Sequence, residues 1–347
     1  MASAYYANKN DLAFKIFESS KFIGGNCRTL EINEFKIDTG AHRFHDKIPN
    51  VTNEIKKIMG NQLLKVSSPS KIFYDNKLIN FPLQSIDIFK FLDFNTKLKI
   101  IKETIQNKIY STKNYTNFKE FAYGTYGKTI SELFLVNYTE KLWGRSANKL
   151  SSEISGNRLK NLTPLNLIKE MIYANNNSNH LDGSFYYPKN GYGTIFTQIQ
   201  NIIGNENINF LSPITEIIHE NNKIKHIKYG NNKTVPVNTI INTLPITSII
   251  KILKPSPSNK IIKIINKFKF RSLKLFIIML NKPYMTKNAS IYFPEKEIPF
   301  TRIYESKNRS KYLAPENHTS IVIEIPHEEK ISNKQNDENK MELIQSY

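Results

Sequence analysis

An acidic residue stands directly after an apolar run of strand length: Leu12-Ala13-Phe14-Lys15-Ile16-Phe17 is followed by Glu18. Before that run lie a short helical stretch, Ala2 to Ala7, and a polar turn of Asn8, Lys9, Asn10 and Asp11. Helix, turn and strand closed by a carboxylate form the later part of a βαβ unit, where the carboxylate accepts hydrogen bonds from the hydroxyls of a nucleotide ribose. A solvated strand-end carboxylate is the bland alternative. Shortly after it, Gly24-Gly25 precedes Arg28-Thr29. Paired glycines let backbone approach a ligand closely, and an arginine there can neutralise a phosphate. A glycine pair by itself is usually no more than a turn.

A second group of residues could serve a substrate. Trp143 is the single tryptophan; it ends a helical pattern and is followed by Gly144 and Arg145. It is read either as a helix cap packed on the core or as a stacking platform for a nucleobase or sugar, with Arg145 or Arg158 binding a diphosphate. Tyr186, Tyr187 and Tyr192, around a glycine turn, could line the same cavity or simply pack, and Arg302 and Tyr304 are weaker candidates. His42 either contacts a cofactor or is structural, and His45 reads as structural. The seven histidines show no HxH or HxxxH spacing, so no metal site is expected.

The elements that must position these residues alternate in type. Helical periodicity covers Lys56 to Leu64, Asn95 to Ile109 and Ile130 to Trp143, and a strand pair at Lys71 to Phe81 turns on Asp75-Asn76. From Ile208 the pattern becomes strands: Ile208 to Ile218 and Lys223 to Tyr229 flank Glu220-Asn221-Asn222, a hairpin signal, and Val235 to Leu244 forms another strand. Leu273 to Leu280 and Ser320 to Ile325 read as strands of a second sheet, and Glu328 to Lys340 as a charged tail.

Taken in order, Phe17-Glu18-Ser19-Ser20, Gly24-Gly25 with Arg28-Thr29, and Asp38-Thr39-Gly40-Ala41-His42 resemble the start of flavoproteins of the amine oxidase, protoporphyrinogen oxidase and UDP-galactopyranose mutase superfamily. Tyr138-Thr139-Glu140-Lys141-Leu142-Trp143-Gly144 is similar to a helix-end motif of the mutases. Phe185 to Gly193 is similar to the segment leading into a helix behind the flavin. Ser212-Pro213-Ile214-Thr215-Glu216-Ile217 resembles the strand whose backbone meets the adenine, and Asn242-Thr243-Leu244-Pro245 the strand-to-helix turn near the cofactor.

The resemblance implies flavin adenine dinucleotide (FAD) as cofactor, held by Glu18, Gly24, Gly25, Arg28, Thr29, His42 and Ile214. Trp143, Arg145, Arg158, Tyr187 and Tyr192 would face the substrate, a small molecule such as an amine or a nucleotide sugar. The fold expected is α/β: a discontinuous Rossmann-like FAD-binding domain from residues 1–50 and 185–260, with a helical and antiparallel-sheet substrate domain from 51–184 and 261–330 and a tail at 331–347. The family's first strand with its glycine-rich loop has no counterpart before Ala2, and its late Gly-Asp segment should lie beyond residue 347. The expectation is therefore a chain cut at both ends, binding FAD poorly or not at all. The activity implied is FAD-dependent oxidoreduction, hydride passing from substrate to flavin N5. The alternatives are a mutase-type, flavin-dependent isomerase and a non-catalytic fragment.

Composition excludes several other classes. The 347 residues carry 49 Lys+Arg against 30 Asp+Glu, a net charge of +19. Lysine is nevertheless spread along the chain with no basic run, and Asn and Ile are as over-used, so a compositional bias accounts for the charge better than nucleic-acid binding does. Cys27 is the single cysteine, which excludes a disulfide framework and suits a reducing, cytoplasmic setting. No apolar run reaches the length of a membrane span. Gly-X-Ser-X-Gly and P-loop patterns are absent.

Overall fold

The computed structural model describes residues 1–81, 91–110, 114–155 and 184–327. The fold is α/β, with helices laid on several sheets. Three helices, Ala2–Lys9, Pro49–Met59 and Thr194–Ile203, cover a two-stranded parallel pair of Ile16–Phe17 and Ile208–Asn209. In the last helix Ile195, Ile199 and Ile203 recur every four residues, so they share one face, and that face is buried against Ala4, Met59 and Ile208.

The largest sheet has six strands in the order Ser272–Leu280, Thr319–His327, Arg302–Glu305, Ser290–Tyr292, Ser70–Tyr74, Lys77–Phe81. Every neighbouring pair is antiparallel except Ser290–Tyr292 with Ser70–Tyr74, which run parallel with Ser290 opposite Ser70. Ile72 and Ile79 on one side pack against Ile100 of the helix Phe94–Tyr110, and Ile130 and Phe134 of the continuous helix 128–143. The helix 128–143 contains a π-helical stretch, Ser131–Val136. Phe276, Ile291, Ile321 and Ile323 build a second cluster on the same sheet.

Three smaller sheets frame the site. Thr29–Ile32 and Phe35–Asp38 form a hairpin; Leu63–Val66 pairs with Phe185–Pro188; and Lys233–Pro236, Lys223–Tyr229, Ile214–Glu220 and Leu253–Lys254 form a four-stranded sheet in that order. Three hairpins turn on two consecutive residues of positive φ: Asn33-Glu34, Asp75-Asn76 and Asn221-Asn222. Such turns match the right-handed twist of the flanking strands, and Asn and Asp tolerate the left-handed conformation best.

Some sequence expectations shift. The strand expected over Leu12 to Phe17 is reduced to Ile16–Phe17, because its partner Ile208–Asn209 offers only two residues of ladder and Leu12 is exposed. The helix expected over Lys56 to Leu64 starts earlier, at Pro49, and ends at Met59, where Gly60 takes a positive φ before the strand Leu63–Val66. The strand expected over Val235 to Leu244 stops at Pro236. Beyond Val237, whose N–H donates to the Lys225 carbonyl, no described backbone ladder continues, and Asn242 instead accepts from the Leu244 N–H in a local turn. The tail expected at 331–347 lies outside the described residues. No described helix is long and apolar enough to cross a membrane.

Candidate cofactor and active site

The parallel pair delivers Glu18 to its carboxyl end. The Glu18 N–H donates to the Asn209 carbonyl at 2.9 Å, and the chain beyond Asn209 stays alongside it, Ser212 N–H donating to the Glu18 carbonyl at 2.8 Å and Leu211 N–H to the Ser20 carbonyl at 3.1 Å. These bonds bring Ile214 to the same end as Glu18, with the Phe17 and Tyr229 rings 4.7 Å apart beneath. The partly exposed carboxylate accepts from the Ser20 N–H at 2.8 Å and the Ser19 hydroxyl at 3.3 Å, both through Oε1. Oε2 faces no described donor.

Gly24 and Gly25 both occupy the left-handed region, at φ 95° and 53°. A Cβ on Gly25 would meet nothing within 4 Å, so one side of this bend is open. The following turn, Gly25–Cys27, aims Arg28 over the Phe22 ring at 5.6 Å. The Arg28 Nε is buried and has no hydrogen-bond partner among the described residues. Burial, assisted by Asp38, pushes the Cys27 thiol up.

Asp38, 4% exposed, organises the next layer. It accepts from the Thr29 hydroxyl at 2.6 Å, from the Tyr192 N–H at 3.0 Å and from the Tyr187 hydroxyl, while Thr29 Oγ1 accepts from the Gly193 N–H at 2.9 Å. The hairpin is thereby fastened to the turn that opens the helix Thr194–Ile203. Contact is close enough that a Cβ on Gly193 would lie 2.6 Å from the Thr29 amide nitrogen. Tyr187 is fully buried, and burial together with the Asp38 charge holds its hydroxyl protonated well above the usual tyrosine range. Tyr192 is pushed up to about 12, by burial first and then by Cys27 and Asp38. His42 joins the group through a 2.9 Å contact between Nε2 and the Asn26 carbonyl and a ring distance of 5.1 Å to Tyr192.

The structure thus bonds Thr29 and Tyr192 to Asp38, sets His42 against Tyr192 and Arg28 over Phe22, and brings Glu18 with Ile214 to the end of the parallel pair. Tyr187 sits beneath, as a buried strut. Trp143 and Arg145 stand apart: Gly144 takes φ 64° as a helix cap, Trp143 is 46% exposed, and this helix end is held by Arg271, which donates to the Lys141 and Pro326 carbonyls. Arg158 lies outside the described residues. Arg302 forms a fork with the buried Glu324, at 2.7 and 2.8 Å, whose Oε1 also accepts from the Ala41 N–H at 3.2 Å. Burial works against the Arg302 charge, but the Glu324 carboxylate together with Tyr292 and Tyr138 more than offsets it, and the guanidinium pKa is raised.

Nothing in the sequence singles out Arg43, Glu324 or Arg309. The pairing of Arg302 with Glu324 bridges two strands of one sheet and leaves no spacing signal. Among the described residues no group of three His, Cys, Asp or Glu could hold a metal ion.

In crystal structures of known proteins the same fold recurs. A reduced UDP-galactopyranose mutase matches with a TM-score of 0.85 at 19% identity, over 96% of this chain and 73% of its own. A candidate protoporphyrinogen oxidase from Exiguobacterium sp. 255-15 matches at 0.71 and 14%, covering 94% and 74%. A putrescine oxidase bound to putrescine matches at 0.63 and 10%, covering 96% and 75%. The profile of the flavin containing amine oxidoreductases matches residues 1–340, so the chain belongs to the flavin-containing amine oxidoreductase family.

Proposed function

We propose that the chain is built for FAD-dependent oxidoreduction of a small molecule. The observation that carries this reading is Glu18: a carboxylate with one uncommitted oxygen at the carboxyl end of a parallel strand pair, in a chain of a flavin-dependent family. The described residues fit part of an adenine dinucleotide. Glu18 would accept from ribose hydroxyls, the open side of Gly25 would admit the chain of phosphates, and the unpartnered Arg28 Nε would meet their charge. Ile214 would offer backbone toward the adenine, and Thr29 and His42 would stand beside the flavin ring. When bound, the flavin supplies a hydride acceptor.

The remaining residues orient and shield. Asp38, by fixing Thr29, Tyr187 and the Tyr192 backbone at once, holds the wall behind the ring rigid. We assign residues 1–50 and 185–260 to the cofactor and 51–184 with 261–330 to the substrate. The six-stranded sheet, whose strands all lie in the second set, supports the division, while the helix Pro49–Met59 crosses its first boundary and packs with the cofactor set against Ile195 and Ile208. The pairing of Leu63–Val66 with Phe185–Pro188 ties the two together.

A mutase-type isomerisation of a nucleotide sugar is the second reading, favoured by the TM-score of 0.85 against 0.63 for the putrescine oxidase. The exposed Trp143 ring would then stack on the nucleotide and Arg145 would meet its diphosphate. Titration of the purified chain with FAD, followed by flavin fluorescence, tests the site. Glu18→Gln, which weakens the ribose contacts, is expected to raise the dissociation constant about tenfold, the worth of one charged hydrogen bond. An unchanged constant removes Glu18 from the site. With flavin loaded, anaerobic bleaching by an amine supports the oxidase, whereas turnover of a UDP-sugar only after chemical reduction supports the mutase.

A further inference from the structure

Arg309 is 2% exposed, and its guanidinium carbon lies 4.0 Å from the centre of the Tyr304 ring. Nη2 donates to the Ser290 hydroxyl at a long 3.3 Å; Nε and Nη1 are buried without any hydrogen-bond partner, and no carboxylate pairs with the group, among the described residues. A second cation converges on the same spot. Arg43 Nη2 donates to Ser290 Oγ at 2.9 Å and to Ser70 Oγ at 2.8 Å, and its guanidinium stacks on Phe185 at 4.9 Å. Ser70 and Ser290 are register partners on neighbouring parallel strands, both buried, so their hydroxyls stand side by side on one face of the sheet.

Arginine cannot shed its proton in a protein, so burial cannot be relieved by neutralisation. A buried charge with no counter-ion is strongly destabilising, and each buried N–H left without an acceptor adds to the penalty. Two guanidiniums bonded to one hydroxyl increase it further. Chains keep such an arrangement where an anion completes it, because arginine donors match the oxygens of a carboxylate or phosphate. Arg43 is the one member of the group with appreciable exposure, so it marks the solvent side from which an ion would enter.

We propose that Arg309, Arg43 and the Ser70–Ser290 hydroxyl pair form a binding site for an anionic oxygen group, a phosphate or a carboxylate. The site uses none of the residues assigned to the cofactor, although Arg43 follows His42 and Tyr304 reaches the Asp38 carbonyl, so it is tested on the chain without flavin. The ion would accept from Arg309 along its Nη1 edge and share Arg43 with the two hydroxyls.

The test uses the flavin-free chain. Sodium phosphate and sodium acetate are titrated by calorimetry, and their effect on melting temperature is compared with sodium chloride at equal ionic strength. Saturable binding with a rise in melting temperature is expected for at least one: phosphate alone assigns a phosphate-bearing ligand, acetate alone a carboxylate. Arg309→Met should weaken that binding at least tenfold and, having lost an uncompensated charge, melt no lower than the wild type without ligand. Arg309→Lys, which keeps the charge but not the planar donors, should bind at least threefold more weakly than wild type. The proposal is overturned if neither salt binds beyond chloride, or if either variant binds as tightly as wild type, which would mean an adventitious ion only. A ligand-free Arg309→Met that melts well below wild type would also overturn it, making Arg309 a plain structural residue.

Discussion

Replacing Gly193 by alanine tests whether the hairpin and the helix-opening turn are locked as the geometry indicates. The backbone of Gly193 is ordinary, so the substitution brings no conformational strain of its own, only contact. Its Cβ would lie 2.6 Å from the Thr29 amide nitrogen and 3.3 Å from the Arg28 carbonyl carbon. To restore ordinary contact at 3.4 Å, the strand bearing Thr29 must retreat by about 0.8 Å. That movement stretches the 2.9 Å bond from the Gly193 N–H to Thr29 Oγ1 beyond bonding range. The bond is worth about 1 kcal/mol and the forced shift about 1–3 kcal/mol, for a loss of roughly 2–4 kcal/mol. For 347 residues the unfolding entropy is about 0.7 kcal/mol/K, so the melting temperature should fall by about 3–5 °C, as read by scanning calorimetry. Adding Thr29→Ala should not restore it, since the nearest clashing atom is backbone. A Gly193→Ala protein melting within 1 °C of wild type would refute the reasoning, as would full rescue by Thr29→Ala.

Two further outcomes follow from the same structure. Glu324→Gln should destabilise the fold by about 3–5 kcal/mol, because it leaves the Arg302 guanidinium without its charged partner, and Arg302→Met with Glu324→Gln should recover most of the loss; denaturant unfolding of the three proteins reads both. Burial pushes Lys141 down to about 8, against the opposing pull of Glu295 and Glu297, while its Nζ donates to the Phe293 and Glu295 carbonyls. Between about pH 8 and the ordinary lysine value the unfolded chain therefore holds the extra proton, so this group makes stability rise with pH across that window. Lys141→Met should flatten the rise in denaturant unfolding measured at pH 8 and pH 10; an identical slope in both proteins would refute the assignment.

Local signals made much of the architecture legible in the chain itself. Helical spacing located Phe94–Tyr110 and the end of 128–143, and Asp75-Asn76 and Asn221-Asn222 marked two hairpins because few residues accept paired positive φ. The ordered set of Glu18, Gly24-Gly25, Arg28-Thr29 and Asp38 to His42 carried the family, since each residue answers to a backbone or charge requirement a few positions away. Strand length is not legible where it depends on the partner: Ile16–Phe17 is as short as Ile208–Asn209 allows, and 237–245 has the residues of a strand without a described ladder.

What only the folded chain decided are the pairings between distant residues. Nothing near Asp38 in sequence shows that it will gather Thr29, Tyr187 and Tyr192, and nothing near Tyr187 shows that it will be a buried strut rather than a cavity wall. The Arg302–Glu324 fork and the meeting of Arg309 with Arg43 over Ser70 and Ser290 arise from sheet register, which brings side chains into contact across more than twenty and more than two hundred residues of chain. Periodicity and turn chemistry are local and can be read directly; electrostatic partnership and burial are properties of packing, and packing exists only in the tertiary structure.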